Sequence, residues 1–280
     1  MRLLCHINDD EDLLQAWLDY YAGLGVSSFH FIVHGAVSEN VKLFQLAKLY
    51  PIRVEDAYEG PFSGIEKLRR IEPVLAHWKG QWVLWVDSDE FVEFPYRGLT
   101  TTIRVLEFLK ANALSAPMVQ RLTEDGGLKT PETIADPFLY FPLCSVDLYR
   151  KMGVEALISK YPLFYCQDST KISNGGNHNP PNGPFTVLSP LQGVTHHFKW
   201  RGPALKKIVS RAQSAVPWRH ESVGYLAYLE SHDFHVPTAD SFSYSRAELF
   251  RRGLLKKATA CNVSTYLLRR MVACLPSPHG

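Results

Sequence analysis

The first half of the chain alternates short continuous apolar runs with stretches in which apolar residues return every three or four positions. Residues 2–7, 28–34 and 52–55 read as strands, and the apolar run at 82–86 closes on Asp87. Between them, Leu14, Trp17, Leu18, Tyr21 and Leu24 share one helical face. Residues 38–50 predict a second helix, and Ile65, Leu68, Ile71, Leu75 and Trp78 mark a third. Asn8, with Glu11 three residues on, reads as a capping box for the first helix, and Gly23 and Gly25 end it. Continuous apolar strands suit a parallel sheet buried on both faces. Repeated β-α units of this length imply an α/β fold in which helices wind around that sheet.

The second half has a different pattern. Residues 103–109 predict a helix, 117–122 a strand, and 124–137 a polar loop bearing Gly and Pro. Residues 138–200 predict short strands and a loop rich in Asn, Gly and Pro at 173–184, and residues 246–257 and 263–273 read as helices. With no internal repeat and no separating linker in the sequence, one domain is expected over residues 1–240. It would have a nucleotide-binding-type half and a mixed, substrate-side half. Residues 241–280 would form a basic helical segment on that domain or at a membrane surface.

Composition narrows the class. The chain has 280 residues, 46% hydrophobic and 12% aromatic, which excludes a disordered or collagen-like chain. Lys plus Arg is 30 against 28 for Asp plus Glu, a net charge of +2, so no nucleic-acid partner is expected. The five cysteines, Cys5, Cys144, Cys166, Cys261 and Cys274, form no Cys-x-x-Cys pair, which argues against structural zinc and for a reducing, cytoplasmic setting. No apolar run approaches the roughly 18 residues that span a bilayer, and residues 1–6 lack a signal-peptide pattern. Arg246, Arg251, Arg252, Lys256, Lys257, Arg269 and Arg270 face only Glu248 in charge. Leucines interleave them, so this stretch is either a solvated basic face or a peripheral contact with anionic lipid on the inner membrane face.

The candidate chemistry centres on Trp82-Val83-Leu84-Trp85-Val86-Asp87-Ser88-Asp89-Glu90-Phe91. A buried strand here delivers Asp87 and Asp89 at its carboxyl end, where open α/β sheets bind ligands. Two hard carboxylates can hold Mg²⁺ or Mn²⁺ and leave positions for a diphosphate. The plainer reading, an acidic turn capping the next element, fits Asp-x-Asp alone equally well. Ser63-Gly64 opens a helix bearing Lys67 and Arg70 on one face, and with Lys171 and Lys199 these are candidate diphosphate contacts. Each would otherwise be an ordinary solvated cation.

The strand running into Asp-x-Asp-Glu-Phe resembles that of GT-A-fold glycosyltransferases of the family 2-like type. Residues 8–26, with Asn8, Glu11, Trp17, Tyr20-Tyr21 and Leu24-Gly25-Val26, resemble that family's opening segment. Lys171 with Asn177-His178 resembles its lysine and later histidine, and His197-Phe198-Lys199 its late His-Phe-Lys. The resemblance spans roughly residues 2–235. It implies a Rossmann-like, mostly parallel sheet flanked by helices. It also implies a nucleoside-diphosphate sugar donor, a divalent metal (Mn²⁺ or Mg²⁺), and transfer to a hydroxyl of a saccharide, lipid-linked if the product is a bacterial surface polymer. Carried over, Asp89 would ligate the metal, Asp87 would contact metal or ribose, and Glu90 would stand beside them. Asn8 and Glu11 would lie on the donor side. His197 is the first candidate for a further ligand, with His196 and His178 behind it. The family's Asp-bearing turn after the second strand is replaced here by residues 34–40, His-Gly-Ala-Val-Ser-Glu-Asn. That leaves the donor base open.

An inverting transfer needs a carboxylate to take the acceptor proton. Asp168, Glu221 and Asp233 are the candidates, and Trp218 to Glu221 also resembles the family's late helix start. Two rival readings remain at this stage. One is a nucleotidyltransferase, for which residues 6–10 lack the expected Gly-rich basic loop. The other is a carbohydrate-binding protein with a degenerate site.

Overall fold

β1 (Arg2–Ile7), β2 (Ser28–His34) and β3 (Ile52–Tyr58) pair in parallel, with α1 (Glu11–Gly23) and α2 (Val41–Leu46) as the crossovers. α3 (Gly64–His77) returns the chain to β4 (Trp82–Trp85), which lies parallel to β1 on its other side. β5 (Glu90–Glu93) then leaves for a second sheet, and α4 (Leu99–Phe108) brings the chain back to β6 (Ala113–Ser115) in the first. β7 (Met118–Leu122), α5 (Pro137–Tyr140), β8 (Leu143–Ser145), α6 (Leu148–Lys151), β9 (Leu163–Tyr165), β10 (Leu188–Gln192) and β11 (Val194–His197) follow. α7 (Gly202–Gln213), α8 (Arg219–Ser231), β12 (Phe242–Ser243) and α9 (Arg246–Arg251) complete the order. The computed structural model describes residues 1–256 except 9, 37–39, 97, 156–157, 169, 173–175, 182–185 and 215–218. The helix expected at 263–273 lies outside the described residues, as do Lys257, Arg269 and Arg270.

The first sheet has the order β10-β6-β9-β4-β1-β2-β3, and the second β12-β8-β7-β11-β5. In the first sheet β9 runs antiparallel to both β4 and β6, while the other pairings are parallel. This is a Rossmann-like, mostly parallel sheet flanked by helices, followed by a mixed half. The apolar stripe of α1 buries Leu14, Trp17, Leu18 and Tyr21 against Phe29, Phe31 and Leu84. Each such side chain contributes about 1.5–3 kcal/mol. Ile71 and Leu75 of α3 pack on the opposite face with Leu4, Ile32 and Trp85. The second sheet carries its own core, in which Met118, Trp200, Ile208 and Tyr225 meet. β12 pairs with β8, and Leu249 and Leu255 pack on Val119 and Val194, so residues 242–255 rest on this second sheet.

Several local expectations need correction. The capping box at Asn8 and Glu11 does not form. The Asn8 amide donates to the His34 carbonyl at 3.1 Å, Glu11 accepts from the Lys42 amide at 2.6 Å, and α1 starts after Asp10 without a side-chain cap. The described part of the second helix spans only Val41–Leu46. The third strand runs on to Tyr58, because pairing with β2 continues past a register shift at Phe31/Ile32. α7 had no sequence forecast. The helix expected at 246–257 is the shorter Arg246–Arg251. Cys5, Cys144 and Cys166 are buried and free. Among the described residues, no helix is long and apolar enough to cross a membrane.

Candidate active site

Strand register assembles the site. β4 stops at Trp85, and residues 86–89 turn into β5, with the Glu90 amide donating to the Asp87 carbonyl at 3.1 Å. β5 pairs antiparallel with β11 so that Glu90 faces His197, and β11 pairs parallel with β7 so that His197 sits beside Gln120. Paired positions project to the same face of a sheet. Glu90, His197 and Gln120 therefore form one row. His196 points to the other face, where its ring lies 3.6 Å from Glu93. The Phe198 amide donates to the Asp89 carbonyl at 2.9 Å and brings Asp89 beside the row. Ligand atoms of Asp89, Glu90 and His197 all lie within 4.8 Å of one another.

The protonation of His197 follows from its neighbours. Gln120 Oε1 accepts from the Trp200 indole nitrogen at 3.0 Å and lies 3.0 Å from His197 Nδ1. An indole nitrogen only donates, so the Gln120 atom facing it is the carbonyl oxygen. His197 Nδ1 then carries a proton toward that oxygen. In the neutral ring, the Nε2 lone pair points at Asp89 Oδ2, 3.2 Å away. Two facing lone pairs call for a proton or a metal cation. Two carboxylates and an imidazole fit a divalent first-row ion such as Mn²⁺. Burial raises the Asp89 pKa, but with a proton on Nε2 the cationic His197 ring outweighs it and holds the carboxyl below its ordinary value.

The Asp87 carboxylate belongs to a different set. Its Oδ1 meets Lys67 Nζ at 2.6 Å and its Oδ2 lies 3.6 Å from Lys160 Nζ. Lys160 also holds Glu90 Oε1 at 2.6 Å. Burial pushes the Asp87 carboxyl up, yet the two lysines outweigh it and hold it well below the carboxylate range. For Glu90 burial prevails over Lys160, and the carboxyl is raised. Behind the acidic turn lies a second charge network. Asp10 accepts from Ser88 Oγ at 2.6 Å, from Arg201 at 2.5 Å and from Lys207 at 2.8 Å, and Arg201 also lies 3.2 Å from Asp12. Burial pushes Asp10 up, while Lys207 and Arg201 bring it well below the usual range.

A cavity of about 360 Å³ opens on these groups. One wall comes from Phe62 and α3, through Gly64 and Lys67. The other comes from Tyr149 of α6, Lys199, Ile208 and Arg211 of α7, and Glu221 and Tyr225 of α8. Burial, together with nearby Arg211, lowers the Lys199 ammonium to about 8.

Of the residues singled out from sequence, Lys67, Asp87, Glu90, Lys199, His197 and Glu221 line this cavity, and Asp89, which does not line it, meets His197 at 3.2 Å. His178 lines it too, with Nδ1 2.9 Å from the Ser159 carbonyl. Others are not brought there. Arg70 turns outward to Asp56 at 2.7 Å and Glu66 at 2.7 Å. Asp168 is exposed and pairs with Lys79. Lys171 is exposed, its amide bonded to the Pro181 carbonyl at 2.9 Å. Asp233 is an exposed residue just past α8. Asn8 and Glu11 hold His34 and Lys42 rather than lining the cavity. Sequence reasoning missed Lys160, Gln120, Tyr149, Arg201 and Arg211. None sits in a motif, because each is placed by a pairing or packing contact far away in the chain. Gln120 alone lay within an expected strand.

No protein-family model matches the chain, and no curated protein matches it. Among solved structures, it is similar to S. aureus TarS 1–349 in complex with UDP-GlcNAc. That likeness is 11% identical over 98% of this chain and 81% of the other, with a TM-score of 0.41. It is also similar to a putative nucleotide-diphospho-sugar transferase from Desulfovibrio desulfuricans, 12% identical over 84% of this chain and 98% of the other, TM-score 0.36. A third likeness is to the 4-diphosphocytidyl-2C-methyl-D-erythritol synthase of Anaerococcus prevotii. It is 11% identical over 82% of this chain and 95% of the other, with a TM-score of 0.34.

Proposed function

We propose that the chain is a metal-dependent glycosyltransferase that moves a sugar from a nucleoside-diphosphate sugar to a saccharide hydroxyl. The observation that carries this reading is the Asp89–Glu90–His197 cradle, whose ligand atoms all lie within 4.8 Å of one another, with His197 Nε2 3.2 Å from Asp89 Oδ2. It lies beyond the carboxyl ends of parallel strands, where open α/β sheets take up nucleotides. In this reading Asp89 and His197 hold Mn²⁺ or Mg²⁺, with Glu90 alongside. When bound, the ion supplies positive charge to the leaving diphosphate. Asp87, already paired with Lys67 and Lys160, takes the ribose side instead of the metal. Glu221 is the carboxylate on the far wall that accepts the proton of the acceptor hydroxyl. The reading extends to a cytoplasmic enzyme on the unpaired Cys5, Cys144 and Cys166, and to a lipid-linked acceptor on the basic C-terminal stretch.

The test is a titration of nucleoside diphosphates and sugar nucleotides by calorimetry, with Mn²⁺ and with EDTA, on the native chain and on Asp89→Ala. The native chain should bind one nucleoside diphosphate in a Mn²⁺-dependent way and turn over the matching sugar nucleotide. Asp89→Ala should lose both while its Tm without metal stays close to native. Near-normal turnover of Asp89→Ala in EDTA would sink the reading.

A further inference from the structure

Four cations line the cavity among the described residues, and they differ in one respect. Lys67 and Lys160 are engaged by Asp87 and Glu90. Lys199 and Arg211 make no ion pair and no side-chain hydrogen bond among the described residues. Their contacts are with rings: Lys199 Nζ lies 3.9 Å from the Tyr225 ring centre, and Arg211 Cζ lies 4.5 Å from that of Phe62. Both are only partly exposed. Two like charges held near one another and half out of water, with Glu221 and Asp89 near enough to act on them but no carboxylate in ion-pair contact, are costly in the free protein. A ligand anion between them would relieve that cost. Both come from the half of the molecule built on the second sheet, from the end of β11 and from α7, whereas Lys67 comes from α3. The donor-side lysines are already matched to the acidic turn. The unmatched pair therefore faces the space left for the acceptor.

We propose that Lys199 and Arg211 form a subsite for an acidic acceptor, a saccharide that carries a carboxylate or a phosphate. The neighbouring groups suit such a ligand. Glu221, on the same wall, can take a hydrogen bond from a sugar hydroxyl. The Tyr149 and Tyr225 rings, with centres 5.7 Å apart, offer apolar area to the sugar's C–H faces. The acid then accepts from two charged donors. Each such contact is worth about tenfold or more in affinity.

This inference deepens the glycosyltransferase reading and rests on it, and the two fail in different ways. The experiment is ligand-observed NMR titration of the full chain with three probes: methyl β-D-glucuronide, glucose 6-phosphate and the neutral methyl β-D-glucoside. Each is measured with and without Mn²⁺ plus UDP or GDP. At least one acidic probe should bind about tenfold or more tightly than the neutral one, and should still bind when the nucleotide is present. Which of the two does so separates carboxylate from phosphate. Lys199→Met and Arg211→Met should each remove that preference and leave neutral-probe and nucleotide binding alone. Lys199→Arg, which keeps the charge, should restore it, and circular dichroism checks that each variant is folded. Equal binding of acidic and neutral probes overturns the proposal. So does displacement of the acid by the nucleotide together with loss of nucleotide binding in the Met variants, since the pair would then serve the donor. If the native chain binds neither nucleotide with Mn²⁺, the transferase reading fails, and the charge preference for free acidic sugars is judged on its own arm.

Discussion

At the scale of single residues, the site depends on a proton whose place is set by Gln120. The side chain accepts from Trp200 at 3.0 Å and faces His197 Nδ1 at 3.0 Å, which frees Nε2 for a ligand. Outer partners of this kind tune metal affinity by roughly 10–100-fold. Gln120→Met should therefore raise the Mn²⁺ dissociation constant by about that factor, measured by electron paramagnetic resonance of free Mn²⁺. Gln120→Glu, which keeps an acceptor in place, should recover most of the loss. Equal affinity in Gln120→Met and the native chain would mean that Gln120 does not direct the ring. Residues 82–91 pointed to Asp87 and Asp89 because a buried strand ending in carboxylates is a local signal. The division of labour between them was not legible. It depends on Lys160, which lies in a loop some seventy positions away and meets both Asp87 and Glu90 only in the folded chain.

At the scale of elements, α1 does more than bury an apolar stripe. The Trp17 indole donates to the carbonyls of Asp87 at 3.2 Å and Glu90 at 3.0 Å. Tyr21 donates to the Glu90 carbonyl at 3.0 Å and accepts from the Val92 amide at 3.0 Å, and Tyr20 donates to the Val92 carbonyl at 2.9 Å. Three rings of one helix thus hold the backbone of the acidic turn and of β5, which among the described residues has β11 as its only neighbour in the sheet. Tyr21→Phe keeps the packing and strands the Val92 amide, at a cost of about 1–3 kcal/mol. The urea midpoint should fall accordingly, and an unchanged midpoint would show that another acceptor reaches Val92. Spacing located this helix well, because period 3.6 is a local property. Its start was misread. Asn8 looks like the cap, but β2 claims its side chain, and Asp10, which stands at the cap position, is held by Arg201 and by Lys207 of α7.

At the scale of the whole molecule, long-range charge pairs tie the two halves together. Glu93 of β5 accepts from Tyr244 and from Arg246 at 2.9 Å, and His196 faces it from β11. Burial pushes the Glu93 carboxyl up, but these partners outweigh it and bring it from 4.5 to about 2. A depressed folded value contributes stability that is present above the unfolded value and is lost as pH falls toward the folded one. The native chain should therefore lose its advantage over Glu93→Gln between pH 4.5 and about 2 in urea unfolding. A gap between the two that stays constant through that window would contradict the assignment. That β1 to β4 lie parallel could be read from the repeated β-α pattern, but their order β3-β2-β1-β4 could not. The insertion of β9 between β4 and β6 could not, since strands of three residues carry no period of their own. The Asp10–Arg201 pair joins positions 191 apart in sequence, and Lys207 reaches Asp10 from 197 positions away. It has a consequence for biosynthesis. A ribosome adding ~5–20 residues per second needs roughly 10–40 s to travel from one partner to the other. During that interval the emerging chain can build the β1–β4 sheet, while Asp10 and Asp12 still lack the guanidinium that neutralises them and so keep water around the loop. The cations that neutralise Asp10 beside the acidic turn are made only once Arg201 and Lys207 have been added. A truncated or stalled chain that ends before those positions is then a half-formed sheet with an open, hydrated end, easily distinguished by a protease from a finished molecule.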